Sequence, residues 1–173
     1  MRLTLLAVLA LSINSITWAN TCPNLTGTYG DCVSVVDGNS QSKGSKFTIS
    51  QTEQDGITTY NVLSEYWYGG SDVASYTADN KEKITTEVVY RGIITSKETW
   101  RCENNALVLS KYQELDEGRG VTSKGQANAA YTLDEEGNLL LVFDTSVYHV
   151  EDGRISKEHS ESKCLRHDSK EIE

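Results

Sequence analysis

Proline is almost missing from this chain. Pro23 is the single example in 173 residues. That leaves no proline-rich linker between domains. No stretch sustains a helical period, and no internal repeat or low-complexity tract is visible. Basic charge is in deficit: 16 Lys and Arg stand against 25 Asp and Glu, giving a net charge of −9. A surface of that sign repels phosphate backbones and anionic lipid, so nucleic acid is not an expected partner. Past the N-terminus no apolar run is long enough to span a bilayer, which needs about 20 residues as a helix.

The N-terminus itself reads as an export signal over residues 1–19. Arg2 supplies the positive end, Leu3 to Leu11 the apolar run, and Thr17 and Ala19 of Thr17-Trp18-Ala19 the small residues at −3 and −1 before a cut. The expected division is 1–19 signal peptide, 20–166 secreted β-domain and 167–173 charged tail, with the chain fraying from about Arg166. All four cysteines, Cys22, Cys32, Cys102 and Cys164, follow the cut. An even count after an export signal reads as disulfides, which points to a secreted or periplasmic protein. Of the three possible pairings, Cys22–Cys32 with Cys102–Cys164 is expected. Cys22–Cys164 with Cys32–Cys102 is the alternative.

Glycine does the punctuation that proline does not. The expected strands run from about 25 to 36, 46 to 51, 57 to 68, 73 to 78, 84 to 90, 93 to 102, 107 to 112, 126 to 133 and 139 to 150. Asp55-Gly56, Asn104-Asn105 and Asp152-Gly153 read as hairpin turns. Residues 37–44 read as the most loop-like stretch and 116–120 as a wide polar loop. Gly92 reads as a bend or bulge. Eight to ten strands at this spacing, in a simple antiparallel meander of hairpins, predict an all-β barrel or sandwich, and closure into a barrel would remove exposed edges. A two-residue turn at Asp152-Gly153 would set Leu141 opposite Cys164 and His159 opposite Ser146. It would also set Asp144 opposite Glu161, a like-charge pair that argues for a slip in register or a nearby cation.

Catalytic chemistry finds little support. There is no Gly-x-Ser-x-Gly; the near-matches at Ser40 and Ser71 lack the second glycine. The cysteines read as paired, so no free thiolate is expected. His149 and His159 fall on different faces of the last hairpin. No histidine lies at zinc spacing from a cysteine, and the acidic turns at 116–117 and 134–136 do not follow a calcium-loop pattern. No catalytic residue, metal or cofactor is expected. Asn24-Leu25-Thr26 matches the N-glycosylation pattern. The best candidate for recognition is a tyrosine stripe on one strand face, Tyr60, Tyr66 and Tyr68, with Trp67 on the other face.

Gly27-Thr28-Tyr29 at the start of the first strand resembles the Gly-x-Trp element of lipocalin-like barrels, with tyrosine in place of tryptophan. The second lipocalin motif, Thr-Asp-Tyr, has no counterpart. The resemblance implies an up-and-down barrel enclosing a small apolar ligand. It also implies that Tyr29 closes the barrel floor with Arg166 from the last strand packed across it. The expected function is non-catalytic binding of a small apolar or amphiphilic molecule by a monomer. The alternative is a protein-interaction module, such as an inhibitor of an extracellular enzyme, working through loops 37–44 and 116–120.

Overall fold

A computed structural model describes residues 21–66 and 68–167. The expected signal peptide, Trp67 and most of the tail lie outside the described residues. Eleven strands form one antiparallel sheet: β1 (Gly27–Val36), β2 (Asn39–Lys43), β3 (Lys46–Gln54), β4 (Ile57–Glu65), β5 (Ser71–Thr77), β6 (Glu82–Val89), β7 (Gly92–Glu103), β8 (Ala106–Asp116), β9 (Val121–Leu133), β10 (Leu139–His149) and β11 (Ile155–His167). There is no helix among the described residues.

Ten strands pair in the order β5-β4-β3-β1-β11-β10-β9-β8-β7-β6, and β2 pairs with β1 off that path. The order follows the chain around a ring. First strand meets last, and one gap is left between β5 and β6. The closed barrel implied by the lipocalin resemblance is therefore corrected to a curled sheet, a half-barrel open at one seam. The reason lies in packing. Tyr76 of β5 sets its ring 4.3 Å from that of Trp100 on β7. The connection over residues 78–81 spends its amides elsewhere: Ala78 N–H donates to the Thr58 carbonyl and Asn80 N–H to the Trp100 carbonyl. So β5 docks against β7, and β6 is left exposed along nearly its whole length.

Local chemistry explains the turns. Asp37-Gly38, Asp55-Gly56 and Asn104-Asn105 each have two successive positive φ angles, and each joins strands whose flanking residues pair directly. Those are the two-residue hairpins whose twist matches the strands. The first corrects the expected loop over 37–44, because residues 39–43 return as β2 along β1. At β1 the sheet forks. Residues 27–29 pair with β3, while residues 32–36 pair with β2.

The last hairpin also differs from expectation. Gly153 N–H donates to the His149 carbonyl, and the Asp152 carboxylate accepts from Arg154 N–H. His149 and Arg154 close the turn, so its loop is four residues and the register moves by two. Leu139, not Leu141, faces Cys164, and Asp144 faces His159 rather than Glu161. A slip of two keeps every side chain on its face. Cys164 therefore stays inward and buried, and the like-charge pair is avoided. Nor does the chain fray at Arg166: Arg166 and His167 pair with Tyr29 and Thr28.

Both weighed disulfide pairings are corrected. The bonds are Cys22–Cys102 and Cys32–Cys164. A bulge in β1 explains the second. The β1–β11 register shifts between Gly30 and Val33, with Asp31 at φ 48°. The extra residue lets Tyr29, Cys32 and Ser34 all turn inward, which strict alternation forbids. Cys32 then meets the buried Cys164 across the ladder. The first bond is explained by the segment 21–26, which runs beneath the sheet to reach β7.

Candidate ligand cavity

The core sits at the end of the curl where residues 21–26 cross. Leu25 is buried, and two tyrosines hold this segment by its carbonyls. The Tyr29 hydroxyl donates to the Leu25 carbonyl at 2.9 Å, and the Tyr60 hydroxyl donates to the Pro23 carbonyl at 2.8 Å. Both side chains are fully buried. Burial pushes the Tyr60 phenol up to about 12. Burial also raises Tyr29, partly offset by the positive charge of Arg166. Arg166 stands opposite Tyr29 in the β1–β11 ladder and reaches the Thr26 carbonyl at 3.4 Å. The floor is thus a strap tied from both sides.

Above the strap lies a partly enclosed cavity of about 110 Å3. Leu25 forms its base. Phe47, Ile49, Tyr60, Val62 and Ser64 contribute from β3 and β4. Tyr76, Leu107, Tyr131, Leu139 and Leu141 contribute from β5, β8, β9 and β10. Inward alternation produces this wall: even positions of β4 and β5 and odd positions of β3, β8, β9 and β10 point to the interior. No charged side chain lines it.

Two of the lining residues, Tyr76 and Tyr131, belong to an aromatic cluster centred on Trp100, which does not itself line the cavity. Trp100 lies between Tyr76, at 4.3 Å, and Tyr131, at 5.9 Å between ring centroids. Burial pushes the Tyr131 hydroxyl up to about 12, with Tyr76 adding to the shift. Tyr76 is raised by burial first, then by the charges of Asp72 and Glu98 and by Tyr66.

The expected tyrosine stripe divides. Tyr60 lines the cavity. Tyr66 and Tyr68 lie beyond the end of β4, stacked on each other with centroids 5.3 Å apart, and neither lines the cavity; Tyr68 is exposed. Pattern reading carried the strand of Tyr60 on to residue 68. The chain leaves the ladder at Glu65 and turns through Gly69 and Gly70, which both have positive φ. Tyr76, Trp100 and Tyr131 were not singled out as site residues. The signal was there in Tyr131 with Leu133 at alternate positions of β9, but only the curl brings β5 beside β7.

Other polar clusters have structural occupations. His159 bridges Asp144 at 2.7 Å and Glu161 at 3.3 Å on an exposed face. Hydrogen bonds donated to those two carboxylates hold the imidazole pKa above its ordinary value. Lys163 bonds Asp134 at 2.8 Å, and Asp134 also accepts from Asn138. Lys163 and Asn138 hold the Asp134 carboxyl well below the usual carboxylate range. In the loop over 116–120, Asp116 accepts from the amides of Gly118 and Gly120. Asn24 is exposed, and its side chain accepts the Thr26 amide. Among the described residues no group of three or more His, Cys, Asp or Glu could hold a metal, and no cysteine is free. No protein-family model matches the chain, and no curated protein or solved structure matches it.

Proposed function

We propose that this protein binds a small apolar or amphiphilic molecule in the cavity of its curled sheet, without catalysing a reaction. The carrying observation is an uncharged, aromatic-lined cavity set above a floor tied by two buried tyrosines. Such concave apolar sites with a few polar groups suit small ligands. The lipocalin-like reading is kept in this form. In its favour are the ring-like strand order and Tyr29 opposite Arg166. The open seam departs from a closed barrel. Two disulfides among the described residues favour an exported, oxidising location.

Native mass spectrometry and a lipophilic dye screen on the purified protein test the reading. A stoichiometric adduct, or dye fluorescence lost when Leu141→Trp fills the cavity, is expected. Silence in both experiments overturns it. The second reading, a protein-interaction module, draws on the Tyr66–Tyr68 stack, whose outer ring is exposed. Flat aromatic surface of this kind suits a protein contact.

A further inference from the structure

Four tyrosines point inward, Tyr29 in the floor and Tyr60, Tyr76 and Tyr131 in the cavity lining, and they fall into two pairs. The hydroxyls of Tyr29 and Tyr60 each donate to a carbonyl of the floor segment. The hydroxyls of Tyr76 and Tyr131 donate to none of the described residues, although both side chains line the cavity. Trp100, held between their rings, is 7 % exposed, and its indole Nε1 is buried without a partner. Buried donors in native proteins are normally satisfied, and leaving one unmade costs stability. That indole is the one of the three that is a buried donor left unmade, and Trp100 does not itself line the cavity; the two phenols packed beside it do line it and have no protein partner among the described residues.

We propose that the cavity takes a small uncharged molecule of single-ring size that carries one hydrogen-bond acceptor, with Tyr131 and Tyr76 as its donors. This rests on the ligand-binding reading above and names the ligand class. Size follows from the volume. An engineered cavity of about 150 Å3 accepts benzene, and this one measures about 110 Å3 with one side open. Neutrality follows from the lining. No charged side chain is present to replace the hydration an ion would lose. Asp72 and Glu98 lie near enough to act on Tyr76, and their sign disfavours an anion further. The acceptor follows from the two cavity-lining phenols, which have no protein acceptor and whose O–H groups donate more strongly than their oxygens accept.

Three probes of nearly the same shape separate the claims. Cyclohexanone carries the acceptor. Methylenecyclohexane replaces its oxygen with a CH2 group. Cyclohexanecarboxylate carries a charge. Binding to the disulfide-bonded protein is measured by calorimetry and by the NMR shift of the Trp100 indole N–H. Cyclohexanone is expected to bind about tenfold tighter than methylenecyclohexane, and Tyr131→Phe to erase that ratio while the alkene's affinity holds. The carboxylate is expected not to bind. Equal affinity for ketone and alkene overturns the acceptor claim and leaves the cavity reading standing. Tightest binding by the carboxylate overturns neutrality. If neither neutral probe binds, the cavity reading itself falls. Should Tyr131→Phe lose its fold in a thermal melt, Tyr76→Phe replaces it, since the phenyl ring keeps the contact with Trp100.

Discussion

Tyr29 and Arg166 are direct partners in the ladder that joins the first strand to the last. Each also reaches the strap beneath them, Tyr29 through the Leu25 carbonyl and Arg166 through that of Thr26. The floor and the first-to-last strand contact are therefore one structural unit.

Removing either floor hydroxyl leaves a buried carbonyl unpaired. Tyr29→Phe and Tyr60→Phe should each cost about 1–3 kcal/mol in urea unfolding. Because Pro23 and Leu25 are two residues apart on one strap, the double variant should cost less than the two costs added. Wild-type midpoints for both single variants would show that the strap does not depend on these bonds.

Non-reducing peptide mapping should recover Cys22 linked to Cys102 and Cys32 linked to Cys164. The bonds close long loops, with separations of 80 and 132 residues. In the chain-entropy model such loops stabilise most, so replacing either pair with serine should cost roughly 2–5 kcal/mol. A peptide joining Cys22 to Cys32 contradicts this fold directly.

Gly92 should tolerate no side chain. A Cβ there would lie 2.0 Å from the backbone oxygen of Asp116, where the β8–β9 register shifts. Gly92→Ala should cost more than about 1 kcal/mol by forcing the backbone apart. A thermal midpoint equal to the parent's would argue against the close approach.

His159 should titrate above an isolated histidine, because Asp144 and Glu161 stabilise its charged form. A raised folded-state value stabilises the fold below the unfolded value near 6.5, and that contribution is lost as pH rises through the folded value. Asp144→Asn should lower the midpoint seen by NMR of the imidazole. No movement of that midpoint rejects the pairing.

Most of the fold was legible because it is local. Apolar patterning and turn signals located nine of the strands, the last hairpin implied β11, and Asp55-Gly56 and Asn104-Asn105 announced their turns through residues that accept positive φ. The register of the last hairpin was not legible. Asp-Gly signals a turn, but whether two or four residues close it depends on the Asp152 cap and on the His149 carbonyl. The disulfides failed for a like reason. The bulge at Asp31 changes which residues face inward, and no periodicity reveals an inserted residue. The cavity wall was half legible. Tyr60 follows from alternation, whereas the meeting of Tyr76 with Trp100 depends on where the sheet stops pairing.

The seam between β5 and β6 has a consequence for a cut chain. The connection at 78–81 divides the molecule into an early part holding Cys22 and Cys32 and a late part holding Cys102 and Cys164. Both disulfides cross that division. A protease that nicks the protein at Lys81 should therefore release nothing: the two fragments stay covalently joined twice and remain paired through β1 with β11. They should run as one species until a reductant is added and the pairing is unfolded.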